Sequence, residues 1–162
     1  MTAMKPNPDR LIETAPIIIG IDPGVSTGVA EYDRRTMTWS LRTSTFWEVY
    51  EWIRGHDLRD SILVIVEDPA ANRPVFDRGV AGRKAAHIAQ SVGGVKREAT
   101  LLVEGLQRLG VAVIARKPVR AAKWTAEDLK RITGVSARSS EHARDAARLA
   151  EMFARVRWRP GV

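Results

Sequence analysis

Two strongly apolar stretches of this chain each stop on a carboxylate. Ile17-Ile18-Ile19-Gly20-Ile21 runs into Asp22 and the turn Pro23-Gly24; Ser61-Ile62-Leu63-Val64-Ile65-Val66 runs into Glu67 and then Asp68-Pro69. Runs this short, apolar and β-branched predict central strands covered on both faces. Such strands belong to an α/β sheet, and open α/β sheets gather their ligands where strands end. Asp-Pro-Gly is also good turn chemistry, so Asp22 alone does not separate a turn-starter from a functional acid. The deciding question is whether other carboxylates converge on it.

Around these two runs the chain alternates regularly. Residues 1–15 are polar at the start, carry two early prolines, and read as a flexible lead-in. Strands are expected at 17–22 and 27–32, joined by Pro23-Gly24-Val25-Ser26. Asp33-Arg34-Arg35 turns into a third strand over 36–43, where Met37, Trp39 and Leu41 alternate with polar residues. Ser44 is the expected cap of a helix carrying Phe46, Trp47, Val49, Tyr50 and Ile53, ended by Gly55. After the second apolar run comes a loop to about residue 80, then a long helix over about 83–109. Gly93-Gly94 weakens that helix by roughly 1 kcal/mol per glycine, which suggests close packing. A short strand over 111–115, a helix capped by Thr125 and Asp128, and a final helix over 140–156 complete a domain spanning 16–156; residues 157–162 form a basic tail. The expectation is an α/β fold with a five-stranded mixed sheet and helices on both faces, in an order that is similar to the ribonuclease H-like fold.

The 162 residues suit one domain, and 44% hydrophobic content allows a real core. Without cysteine there are no disulfides and no thiolate metal sites, which fits a cytoplasmic protein. No apolar run reaches membrane-spanning length and no signal-peptide pattern opens the chain, so no membrane partner is expected. A net charge of +7 and a pI near 10.4 favour polyanionic partners, nucleic acid first.

The final helix supplies the converging acid. At about 100° per position, His142, Asp145, Ala146, Leu149, Ala150, Phe153 and Val156 fall on one side, with Arg144, Arg148, Glu151 and Arg155 opposite. The apolar side must pack on the sheet, so Asp145 and His142 lie on or beside the buried stripe. A carboxylate there is costly unless it is paired or bound to metal. Asp22, Glu67 and Asp145 thus point to one rim, where they would raise one another's pKa unless a cation sits among them. Hard divalent cations, Mg²⁺ or Mn²⁺, answer that need. Two such ions per site can activate a water and stabilise the leaving oxygen of a phosphodiester. His142 has two roles open to it: a further metal ligand, or the acceptor of a proton from the attacking water.

These residues carry a family resemblance. Gly20-Ile21-Asp22-Pro23-Gly24 with Thr27-Gly28, the strand ending at Glu67, the long glycine-containing helix, and His142-Ala143-Arg144-Asp145-Ala146-Ala147 resemble RuvC-type Holliday-junction resolvases, over about residues 17–154. The resemblance implies catalytic, metal-binding roles for Asp22, Glu67 and Asp145, with His142 at a position held by His in some members and Asp in others. It implies a homodimer that resolves four-way DNA junctions by paired symmetric nicks with Mg²⁺ or Mn²⁺, in recombination and repair within a bacterial or phage-infected cell. One departure stands out. The family has an aromatic wedge close after the second acid, whereas here Asp68-Pro69 follows and the nearest aromatic is Phe76, which either plays that part or packs on its own domain. Asp68 is either a further ligand or a turn-starter.

DNA contacts are expected from Arg73, Phe76, Arg78, Arg83 and Lys84 after Glu67, and from Lys117, Arg120 and Lys123 after the last strand; together they predict strongly salt-dependent binding. Three other readings remain open: a nuclease of the same fold acting on flaps, single strands or RNA–DNA hybrids; a DNA-binding module without catalysis; and the phosphate-binding motif of sugar kinases and actin, which needs two such domains.

Overall fold

The computed structural model describes residues 6–68, 94 and 97–161. Five strands, β1 (Ile17–Asp22), β2 (Thr27–Asp33), β3 (Thr38–Ser44), β4 (Leu63–Glu67) and β5 (Ala112–Arg116), form one mixed sheet in the order β3-β2-β1-β4-β5. The first three form an antiparallel meander, whereas β4 and β5 add parallel to β1. The α/β class and the five-stranded mixed sheet are as expected from the apolar runs.

Alternation along β1 and β4 divides the core. Ile17, Ile19, Ile21, Val64 and Val66 face one side, where they meet Val49 and Ile53 of helix α2 (Phe46–Arg54) and Leu102 and Leu106 of helix α3, described over 97–108. Ile18, Leu63 and Ile65 face the other, against Leu149, Ala150 and Phe153 of the last helix, α5 (Glu141–Ala154). Helix α4 (Ala126–Thr133), whose Thr125–Asp128 capping box forms as predicted, closes that layer through Leu129. Within α3, Ala99, Leu102 and Leu106 are fully buried against the chain's own core. Among the described glycines of α3, the close packing falls at Gly105, where an added Cβ would stand 3.0 Å from the Tyr50 ring.

Several local expectations give way. The lead-in is not loose throughout: Pro8–Thr14 form a helix, α1, capped by Asn7 with Pro8 in its first turn. Leu11 and Ile12 pack on the core beside Ala15, and the basic tail docks on the same helix, Arg159 N–H donating to Glu13 O at 2.8 Å and Trp158 Nε1 to Thr14 O at 3.3 Å. The cap of α2 is Thr45, in a capping box with Glu48, because the pairing of β3 with β2 extends through Ser44. Met37 does not face the core; it sits in the hairpin turn at φ 56°, 76% exposed. Trp47 is likewise 68% exposed, so the buried stripe of α2 is Val49 and Ile53.

The same hairpin contains a buried cation. Arg34 is only 5% exposed and donates to Ala15 O and Ile12 O at the end of α1, and to Phe153 O and Val156 O at the end of α5, at 2.8–3.4 Å. One guanidinium thus serves the orphan carbonyls of two helix C-termini, where positive charge is favoured. Arg34→Ala should lower stability by about 2–3 kcal/mol, and Arg34→Lys, a point charge unable to span both ends, by more than half of that. Urea denaturation of the three proteins measures it.

Candidate active site

The alternation that sorts the core also aims the acids. Ile18, Gly20 and Asp22 share the α5 side of β1, as Leu63, Ile65 and Glu67 do on β4. The parallel register pairs Ile21 with Val66, so Asp22 and Glu67 emerge side by side one position further on. Helix α5 crosses above them at backbone contact distance. A Cβ on Gly20 would lie 2.0 Å from Ala146 O, and one on Gly28 would lie 2.0 Å from His142 O. Gly28 pairs with Asp22 across the β1–β2 ladder. Two glycines, together with Ala143, Ala146, Ala147 and Ala150, therefore let the helix lie directly on the sheet. Its N-terminus is fixed by Ser140, which caps Ala143 N–H at 3.0 Å and bonds Thr43 Oγ1 of β3 at 2.6 Å.

The result is an open cleft of ≈ 560 Å³ whose walls include Asp22, Glu67, His142 and Asp145, along with Lys123, Arg148 and the Pro23–Ser26 turn. His142 Nδ1 lies 2.9 Å from Asp22 Oδ2; the imidazole is half exposed, whereas the carboxylate is 13% exposed. Asp145, at 15%, has Lys123 Nζ at 3.5 Å from Oδ2, and the same ammonium bonds Glu141. Burial, then the negative charges of Asp22 and Asp145, push Glu67 up to about 7. Burial also raises Asp22, against the lowering pull of the His142 hydrogen bond. Glu67 thus senses both other acids, and Asp22 senses Asp145. Among the described residues, however, no three His, Asp or Glu side chains form a drawn-up metal-ligand cluster. Three of the four predicted residues have protein partners: Asp22 and His142 hold each other, and Asp145 holds Lys123.

The raised Glu67 carries a stability consequence. An acid whose folded pKa is raised binds more protons folded than unfolded between pH 4.5 and about 7, so stability falls as pH rises through that window. In metal-free buffer Glu67→Gln should therefore be more stable than the parent by about 1–2 kcal/mol at pH 8, after allowance for solvent screening, with the gain gone at pH 4. Thermal melts at the two pH values test the sign.

The expected DNA contacts divide. Arg73, Phe76, Arg78, Arg83 and Lys84 lie outside the described residues. Lys117 and Arg120 are exposed on the segment that follows β5, beside the cleft that Pro118, Val119 and Ala121 help to line. Lys123 lines the cleft, its ammonium set against Glu141 and Asp145. Trp124 packs against the Ala30, Leu129, Ala146 and Ala147 cluster.

Arg144 and Arg148 depart from the helical-wheel expectation of a solvated face. Arg148 donates to Val119 O, Ala121 O and Ala122 O at 2.9–3.4 Å; Arg144 donates to Trp124 O and Ser139 O at 2.9 and 2.7 Å. Together they fasten the β5–α4 segment to α5 as one wall of the cleft. The available signal was their four-residue spacing, which stacks them on one helix face; the sequence does not say that a loop's carbonyls would meet them.

No protein-family model matches this chain, and no curated protein matches it. The donor chemistry of the cleft itself is what bears on function. Asp22, Glu67 and Asp145 are hard oxygen donors lining one cleft, a set that suits Mg²⁺ or Mn²⁺ better than softer metals.

Proposed function

We propose that this chain is a divalent-cation-dependent endonuclease with a ribonuclease H-like fold, a RuvC-type resolvase that nicks four-way DNA junctions symmetrically as a homodimer. The observation that carries the reading is the convergence of Asp22, Glu67 and Asp145, from two adjacent strand ends and one helix, on a single cleft. The 3-2-1-4-5 strand order, with α5 laid over β1 and β2, supports the fold assignment. Exposed Lys117 and Arg120 at the cleft's edge, on a chain of net charge +7, support a phosphate backbone as ligand.

Asp22, Glu67 and Asp145 would hold two Mg²⁺ or Mn²⁺ ions, which supply a water of lowered pKa and charge stabilisation at the leaving oxygen. The chain's own residues supply the rest. Asp22 fixes the imidazole of His142 through Nδ1, and the other nitrogen, Nε2, is then free to take a proton from the attacking water. Helix α5, clamped onto Gly20 and Gly28, keeps His142 and Asp145 in register with the strand acids. The wall fastened by Arg144 and Arg148 keeps Lys117 and Arg120 beside the cleft, where they attract and orient phosphates.

A panel of synthetic DNAs at equal concentration tests the reading: a four-way junction, a flap, a duplex, a single strand and an RNA–DNA hybrid, each with Mg²⁺ and with Mn²⁺. Paired symmetric nicks confined to the four-way junction are expected. Cleavage only of flaps or hybrids reassigns the substrate, and metal-independent binding without nicking ends the enzymatic reading.

A further inference from the structure

Lys123 occupies an unusual position for an exposed cation. Its ammonium bridges two acids of α5: Glu141, itself 55% exposed, and Asp145, at 15% the more buried of the pair. Its backbone is held from both sides, since Arg148 grips the carbonyls of Val119, Ala121 and Ala122 before it, and Arg144 grips Trp124 O after it. Only the side chain is free to relocate. The lysine also lines the cleft shared by Asp22 and Glu67, so its charge falls where three carboxylates repel one another.

We propose that the Lys123 ammonium is a tethered stand-in for a divalent cation at Asp145: it neutralises that carboxylate in the metal-free protein, and gives it up, falling back on Glu141, when the ion binds. The proposal rests on the metal-dependent reading above. A divalent ion brings twice the charge to the crowded acids and can bond several oxygens at once, whereas the ammonium offers Asp145 one contact at 3.5 Å. Glu141 makes the exchange cheap, because Lys123 keeps one carboxylate partner throughout. The lysine thereby sets the metal affinity of the site and keeps the metal-free acids together.

Mn²⁺ binding by the metal-stripped full chain, followed by calorimetry and by the electron paramagnetic resonance of free Mn²⁺, tests this. Lys123→Gln, at a 61% exposed side chain where folding is not at risk, should tighten Mn²⁺ binding about fivefold, the scale of one partly exposed ion pair. Glu141→Gln should weaken it about threefold, because the lysine then rests on Asp145 alone. Competition makes these effects dependent: in the Lys123→Gln background, Glu141→Gln should have no effect. A simple long-range charge effect would instead weaken binding equally in both backgrounds, and that additivity overturns the proposal. In the parent protein, the Lys123 ¹⁵Nζ resonance should shift on Mg²⁺ addition; an unmoved resonance at saturating metal also overturns it. Equal Mn²⁺ affinity of the parent and Lys123→Gln refutes the lysine's role while leaving the metal site intact. Failure of both to bind Mn²⁺ refutes the metal-dependent reading and the lysine's role with it.

Discussion

Asp22→Asn and Asp145→Asn should each reduce junction cleavage by on the order of a thousandfold or more, while junction affinity in metal-free buffer falls little. Both substitutions preserve shape and remove one negative charge. In the Asp22→Asn protein the side-chain amide oxygen still accepts from His142 Nδ1, so the 2.9 Å contact survives without the carboxylate. Each acid is mostly buried, and each faces other anions, so its charge is tolerable only alongside positive partners. An ion held by three such groups loses much of its binding when one is neutralised, and its stabilisation of the leaving oxygen is worth several kcal/mol. A loss of about 4 kcal/mol in the transition state is the thousandfold stated. On the proposed reading, DNA affinity would depend instead on exposed cations such as Lys117 and Arg120, outside the acid cluster. Single-turnover cleavage and gel-shift measurements on the same junction separate the two quantities. Retained cleavage by the Asp22→Asn, Asp145→Asn double variant would end the nuclease interpretation.

Gly28→Ala should both destabilise the fold, by about 3 kcal/mol or more, and remove cleavage. The added methyl would stand 2.0 Å from His142 O and 2.1 Å from its carbonyl carbon, and neither is a side-chain tip that can swing aside. Relief requires α5 to lift or the β1–β2 pair to bend, and overpacking of a fitted core typically costs about 1–3 kcal/mol even where side chains can adjust. Lifting the first turn of α5 also strains the Ser140 contact with Thr43 and the His142 contact with Asp22. Gly20→Ala, one turn further along at Ala146 O, should destabilise comparably. Gly94→Ala is the control, because its added Cβ meets nothing within 4 Å among the described residues. Denaturant midpoints and cleavage rates of the three variants, compared in parallel, test whether contact with α5 is what makes a glycine indispensable here.

Much of this architecture is legible in the chain because its signals are local. Continuous β-branched runs ending on Asp22 and Glu67 have one economical solution, a sheet covered on both faces, and the Thr125–Asp128 box marks its helix as capping chemistry requires. Helical periodicity alone places His142 and Asp145 at the sheet-facing edge of α5, and strand alternation puts both strand acids on that same side. The convergence of acids was therefore written into spacing.

Tertiary structure decided what those acids, and several cations, actually touch. Arg34 in a turn and Arg148 on a polar helix face look solvated in sequence, because the carbonyls that claim them come from segments 119 and 29 residues away. Lys123 shows no acidic partner in sequence, because Glu141 and Asp145 reach it only through the fold. Met37 obeys strand alternation only on paper, since the hairpin register assigns it to the turn. Periodicity fixes the face a side chain occupies. Its partner depends on contacts made across the chain, which no window of neighbouring residues encodes.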